Sequence, residues 1–499
     1  MDFLDPKKQK AHRARMLIGY VLIGFALIIA TTILLYQAYG FGIDNGKIVQ
    51  NGLVFVSSHP GGANILVNGD LKGQTNSRLN LPAGQYTFKI QRPGYRTWQR
   101  SIGVEGGSVE HFDYPFLIPS SLKTTTYATY SSKPDAALQS PDQRWLLVPR
   151  PGVFGTFDMY DLAHPKNAAT TVALPGNVLT ASAGAQSWQL VEWSSDSTHV
   201  LLRHTFVAAN NQTASEYVLV NRSDPTQSVN LSTTLGQTPT NIELKNGAYN
   251  QYYLYNQTAQ TLTTATLSSP TPVALAQHVL AFETSGSNDI LYIDGSPITS
   301  GANAGKVTVD LKQGNTTYTL GHLASASSYV LNLAQYAGDW YVAYGAATDG
   351  KVDVYENPVS QLTSGDSPVI VPVAVLKVND PQELEFSTGD QFLMAENGSS
   401  FASFDALTGK TYTYTLPSSL GTITTPATWI DNAHLAVSGN GKLVMLDFDG
   451  ANRQTLVAAD ASLTPIFDPN YHTMYAFAAQ PSTSAYTLTS TSLLTPADQ

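Results

Sequence analysis

The pattern of apolar and polar positions changes character twice along the chain. From Met16 to Tyr36 it runs MLIGYVLIGFALIIATTILLY, with no charge. As a helix that run is roughly 31 Å long, the thickness of a bilayer's hydrocarbon core. It has no polar face, unlike the amphipathic helices of globular proteins. Lys7, Lys8, Lys10, Arg13 and Arg15 crowd the side before it, and the next ionisable group after it is Asp44. Basic residues on one flank alone predict a cytoplasmic N-terminus and an exported remainder. Tyr36, Tyr39 and Phe41 sit where an interfacial aromatic belt forms. The expectation is a basic cytoplasmic segment over 1–15, a helix over 16–39 in the lipid bilayer, and a Gly-rich linker over 40–51. A cleaved signal peptide is the alternative. Its apolar region is usually shorter, and the small-x-small candidate, Ala38-Tyr39-Gly40, lies far along.

After the linker the period becomes two. GLVFVSS at 52–58 alternates and is rich in β-branched and aromatic residues, so it reads as a strand. His59-Pro60-Gly61-Gly62-Ala63 breaks it. Ile65-Leu66-Val67 is a second strand, and Asn68-Gly69 is a hairpin turn, because both residues tolerate positive φ. Pro82-Ala83-Gly84 and Arg92-Pro93-Gly94-Tyr95 are further turns. Tyr86, Phe88 and Ile90 point one way along the strand between them, and Trp98, Ile102, Val104 and Phe112 continue the sheet. Five or six short strands without helical periodicity predict a small β-sandwich over 52–118.

From 119 to 499 a unit recurs: a polar turn, a short apolar strand, a second turn, an aromatic strand carrying Asp. Ser140-Pro141-Asp142-Gln143-Arg144-Trp145 precedes Phe157-Asp158-Met159-Tyr160-Asp161, and Trp193-Ser194-Ser195-Asp196 precedes Glu216-Tyr217-Val218. Copies begin again near Gly338, Thr388, Ile430 and Phe467, with weaker ones around 241–267 and 281–311. The spacing of roughly 40–50 residues is that of a four-stranded propeller blade. Eight copies favour eight blades, with seven the alternative. The strand-like 123–129 is placed to join the last blade and close the ring.

These residues carry two resemblances. Pro60-Gly61-Gly62-Ala63, Val67-Asn68-Gly69, Gly73-x-Thr75, Leu81-Pro82-Ala83-Gly84-x-Tyr86 and Arg92-Pro93-Gly94-Tyr95 together resemble the PEGA domain, with Gly61 in place of its Glu and Asn68 in place of its usual Asp. That resemblance implies a small extracytoplasmic β module that binds or spaces, and it brings no catalytic residues. The S-P-D and W-S-S-D turns resemble TolB-type and WD-like propellers. Phe404-Asp405-Ala406-Leu407-Thr408-Gly409-Lys410 resembles one blade motif of the quinoproteins, but a lone copy reads as an ordinary hairpin turn.

Composition narrows the setting. The first fifteen residues carry five positive and two negative charges, a net +3; the whole chain carries −10, so residues 16–499 carry −13. An acidic, lightly charged mass argues against nucleic acid as a partner. There is no cysteine. That removes disulfides, thiolate metal sites and cysteine nucleophiles, and it fits a prokaryotic envelope.

No residue is singled out for catalysis, cofactor or metal. The ten histidines are scattered; His199 and His204 lie five apart on one predicted strand, hence on opposite faces. Asp447-Phe448-Asp449-Gly450 reads as a β-turn rather than a calcium loop. Asp142, Asp196, Asp390 and Asp431 are expected to hold turns through side-chain bonds. Trp145, Trp193, Trp340 and Trp429 are expected to pack between blades. The expected function is non-enzymatic: a single-pass, extracytoplasmic binding or scaffold protein of a prokaryotic envelope, its partner an envelope protein or cell-wall glycan. The alternative is an envelope enzyme, glycan-active or quinoprotein-like, with its site in the propeller channel.

Overall fold

The computed structural model describes residues 6–38, 40–44, 47–182, 184–286, 288–364, 369–481 and 483–498. Residues 1–5 of the expected cytoplasmic segment, and Tyr39 of the expected aromatic belt, lie outside them. Two compact units are present, 1–121 and 122–499.

The first unit opens with helix α1 (Pro6–Ala38). Its Gln9–Tyr36 stretch is long and apolar enough to cross a membrane, and its apolar residues are exposed. This is consistent with a single-pass anchor.

The sandwich consists of two four-stranded sheets. One contains β1 (Phe41–Asp44), β2 (Lys47–Val56) and β5 (Ser77–Pro82) in the order β1-β2-β5, with β8 (Val109–Phe112) parallel to β2. The other has the order β4 (Asp70–Gln74), β3 (Asn64–Val67), β6 (Gly84–Gln91), β7 (Trp98–Val104). The expected linker is therefore corrected: residues 41–44 and 47–50 are paired strand, Phe41 facing Gln50 and Ile43 facing Ile48. Their composition is linker-like, but pairing with a second strand satisfies the backbone groups that a free linker leaves to water.

The inward positions of both sheets meet in a core of Val54, Ile65, Phe88, Ile90, Trp98 and Phe112. Phe88 and Phe112 pack edge to face, with centroids 5.1 Å apart. The turn residues hold the strand ends. Asn68 and Gly69 both adopt positive φ, at 51° and 93°. The Thr75 hydroxyl accepts from the Ala63 amide at 3.0 Å, Tyr86 donates to the Pro82 carbonyl at 2.8 Å, and Arg92 donates to the Gly61 carbonyl. At Gly52 a Cβ would lie 2.4 Å from Val104 Cγ1, so only glycine lets these sheets close.

The second unit is a ring of four-stranded antiparallel sheets. After β9 (Lys123–Tyr130), β10–β13 (138–173), β14–β17 (186–230), β18–β21 (241–277), β22–β25 (279–324), β26–β29 (329–376), β30–β33 (383–415) and β34–β37 (428–458) form seven sheets in chain order. The last sheet is β38-β39-β40-β9 (466–492 with 123–130), in which β40 (Tyr486–Ser492) pairs with β9. The described residues thus form an eight-bladed β-propeller, blades 1 to 7 each a meander with strands A to D in chain order, and blade 8 completed by the unit's first strand, β9. The weak sequence copies around 241–267 and 281–311 are blades 3 and 4. Closure leaves no free blade edge between the first and last blades, the liability of an open sheet. Apolar side chains of adjacent blades interdigitate: Leu147, Phe157 and Met159 of blade 1 pack on Val200, Leu202 and Val218 of blade 2.

Candidate functional site

Most of the polar turn residues serve the fold. The Oδ1 atoms of Asp142, Asp196 and Asp431 accept from the amides of Arg144 (3.2 Å), Thr198 (3.0 Å) and Ala433 (2.8 Å). Asp390 departs from this expectation. It has φ 60°, the place that Gln143 and Ser197 hold in the corresponding turns at φ 58° and 56°. Gly389 occupies the position of the capping Asp, so the Asp390 carboxylate is one residue too late to cap. Trp193 is buried between blades 1 and 2 and donates to the Leu138 carbonyl at 3.3 Å; Trp145, Trp340 and Trp429 pack against the clusters between their blades. His199 and His204 do lie on opposite faces. His199 stacks on Tyr249 (4.0 Å), whereas His204 is wholly buried among different aromatics. Gly450 closes a turn on the Asp447 carbonyl at 2.8 Å, as expected for 447–450.

A cleft of about 320 Å³ lies on one face of the ring. It is lined by Ser132, Lys133 and Asp135, by the turn from Pro149 to Phe154, and by Gln186 and Trp188. The topology explains why these segments meet. In an A-B-C-D meander the B–C turn and the D–A connection emerge at the same end. Residues 150–155 are the B–C turn of blade 1, 131–137 the D–A connection into it, and Gln186 begins strand A of blade 2, β14 (Gln186–Trp193). Phe154 is 36% exposed and lies flat on the buried Trp188, with centroids 4.8 Å apart and planes 5° apart.

Beneath this stack is a buried polar relay. His204 Nδ1 lies 2.8 Å from Glu216 Oε1, and His204 Nε2 lies 3.1 Å from Gln186 Oε1. Glu216 also accepts from the Thr180 amide (2.8 Å), the Thr180 hydroxyl (2.6 Å) and the Asn230 amide (2.8 Å). Burial works to raise its pKa, but the hydrogen bonds from His204, Thr180 and Asn230 outweigh burial and hold it down at about 2. Phe206 stacks on the far side of His204 at 4.7 Å. The cleft floor is thus fixed by the hydrogen bonds that join Gln186, His204, Glu216, Thr180 and Asn230. Its cations are already matched: Arg150 donates to Asp158 and to Thr171 (3.1 Å), and Lys133 pairs with Asp460 at 3.0 Å.

The sequence reading missed this cleft. The signals present were the Gln186-x-Trp188 and His204-x-Phe206 spacings, each placing two such side chains on one strand face.

The channel holds a second grouping, also missed. Glu192, Glu243, Glu283, Glu383 and Glu385 lie on innermost strands of blades 2, 3, 4 and 6. Each is half-buried; Glu192, Glu243, Glu283 and Glu385 sit in the later part of their A strands, toward the face opposite the cleft, whereas Glu383 opens its strand. Glu243 accepts from the Asn241 amide at 3.1 Å and Glu192 from the Leu244 amide. Burial, then the charges of Glu243, Glu383 and Glu385, push Glu283 up to about 8. Burial likewise lifts Glu192, Glu243 and Glu385 to about 7. Among the described residues no group of three or more His, Cys, Asp or Glu is placed to hold a metal ion. The alternation in Glu383-Leu384-Glu385-Phe386 was the available signal: Leu384 and Phe386 enter the core between blades, leaving the glutamates on the other side.

Residues 51–117 match the family model of the PEGA domain. No curated protein matches the chain by sequence. Among solved structures the chain is similar to Porphyromonas gingivalis dipeptidyl peptidase 4, at 11% identity and TM-score 0.46, over 72% of this chain and 58% of that one. It is also similar to Saccharomyces cerevisiae Sqt1, at 10% identity and TM-score 0.43, over 72% and 96% of the two chains. A third is the β-propeller domain of Myceliophteria thermophila Cps50 (Swd1), at 12% identity and TM-score 0.36, over 74% and 99%. The eight closed sheets themselves carry the propeller assignment.

Proposed function

We propose that the protein is a membrane-anchored binding or scaffold protein of a prokaryotic cell envelope, with α1 in the bilayer, its N-terminus in the cytoplasm, and both β units outside the cell. The propeller engages an envelope protein or cell-wall glycan, and the PEGA module serves as spacer or second contact. The observation that carries this reading is the preformed cleft on the B–C/D–A face. Its exposed aromatic is backed by the buried Trp188 and the hydrogen-bonded His204–Glu216 pair, so little ordering is lost on binding. The absence of cysteine in 499 residues supports the envelope assignment.

The full chain in phospholipid nanodiscs, incubated with envelope extract, is expected to retain a stable protein or wall-polymer partner. Turnover of a wall glycan with no partner retained would overturn the binding reading.

One observation favours the enzymatic alternative. Glu283 and its carboxylate neighbours in the channel have the raised pKa values that acid–base chemistry uses. That reading requires E283Q or E385Q to abolish a glycan-cleaving activity of the full chain.

A further inference from the structure

We propose that the Phe154 cleft is a carbohydrate-binding site that takes a neutral sugar chain, the Phe154 ring forming its stacking platform. The inference rests on the binding-protein reading and names the ligand class for that site.

The chemistry of the lining selects the ligand. A pyranose ring has an apolar C–H face and a rim of hydroxyls. Phe154 offers a flat ring that cannot swing away, because Trp188 backs it at 4.8 Å and His204 lies beside it at 4.8 Å. Around that ring stand groups able both to donate and to accept. Asp135 uses Oδ2 to accept from the Trp188 amide at 3.0 Å. Its Oδ1, the Gln186 amide nitrogen and the Ser132 hydroxyl have no hydrogen-bond partner among the described residues. These are the planar amide and carboxylate partners that a hydroxyl rim requires.

Charge argues against an anionic ligand. A phosphate or uronate would need an uncommitted cation, but Arg150 is held by Asp158 and Thr171, and Lys133 by Asp460. Size argues against a folded partner inside the cleft. About 320 Å³ lies at the small end of the roughly 300–1,000 Å³ of ligand pockets, room for a sugar unit or two of a longer chain.

The test is affinity electrophoresis of the full chain in nanodiscs, through gels containing dextran, mannan, galactan or a β-glucan, with alginate as the anionic comparison. At least one neutral polysaccharide is expected to retard the protein at both low and high salt. Phe154→Ala should weaken that retardation at least about tenfold, the loss expected of an aromatic anchor. Asp135→Ala, at an exposed position, should weaken it too. Leu407→Ala, at an exposed leucine of blade 6, should leave it unchanged. Ligand should change tryptophan emission in the parent protein but not in Trp188→Phe.

Retardation by none of the neutral polymers, equal retardation of F154A and the parent, retardation by alginate alone, or displacement of the polysaccharide by a peptide would each overturn the proposal. Capture of an envelope protein by a chain that no polysaccharide retards would sink the carbohydrate inference and leave the binding-protein reading standing. Glycan turnover with no partner would sink both.

Discussion

The hydroxyls of Tyr130 and Tyr160 lie 2.7 Å apart in the interior of the propeller. Tyr130 ends the strand that closes blade 8, and Tyr160 lies on the third strand of blade 1, so this bond fastens the ring where the two ends of the repeat meet. Both side chains are almost inaccessible to water. Burial, opposed by the bond from Tyr130, leaves the Tyr160 phenol at about 12.

Removing the Tyr130 hydroxyl leaves that of Tyr160 buried and unpaired, which costs about 1–3 kcal/mol; removing that of Tyr160 leaves Tyr130 facing Asp158 alone. Y130F and Y160F should each lower the melting temperature by a few degrees. The double variant should lose less than the sum, because no orphaned hydroxyl remains. Strictly additive losses in thermal melts would show that the hydroxyls do not act as a pair.

Glu216 anchors four hydrogen-bond donors beneath the cleft, counting both groups of Thr180. E216A leaves His204 and Asn230 without their carboxylate, and leaving buried donors without their acceptor costs about 1–3 kcal/mol. The pH dependence has a defined sign. Its folded pKa of about 2 lies below the ordinary carboxyl value of 4.5, so the stabilisation is present above pH 4.5 and is lost as pH falls toward 2. The parent should therefore lose more stability than E216Q between pH 5 and pH 3 in melts followed by circular dichroism. Parallel acid curves for the two would count against the relay.

The channel glutamates act in the opposite direction. Glu283 has a folded pKa of about 8 against an ordinary value of 4.5, so its contribution is fully present below pH 4.5 and is lost as pH rises through about 8. E283Q should gain on the order of 4 kcal/mol over the parent at pH 8 and nothing at pH 4. Together with Glu216 this predicts a stability maximum near pH 5. A parent protein that is most stable at pH 8, with E283Q following the same profile, would contradict the crowding of carboxylates at Glu283.

The orientation of the anchor can be tested directly. Protease added to intact cells should digest both β units and leave a short membrane-bound stub containing α1. Full protection of the β units until the membrane is permeabilised would place them on the cytoplasmic side.

What the sequence determined by itself was whatever depends on near neighbours. An uncharged apolar run is long enough for a bilayer or it is not. Alternation marks a half-buried strand, Asn68-Gly69 makes a hairpin, and a repeated turn-strand-turn-strand unit makes blades that bury their faces only by stacking. The joining of 123–129 to the last blade was legible for the same reason, as a strand left over before the first unit and missing from the last.

The tertiary structure decided the rest. Residues 41–44 and 47–50 look like a linker until each segment supplies the other's hydrogen bonds. Asp390 looks like its counterparts until the backbone shows that Gly389 holds the capping position. Phe154 and Trp188 belong to different blades and become a stacked wall only when those blades pack. Glu243, Glu283, Glu383 and Glu385 are far apart in the chain and feel one another's charge only because eight blades close around one channel. Burial and proximity belong to the closed ring, and no window of sequence contains them.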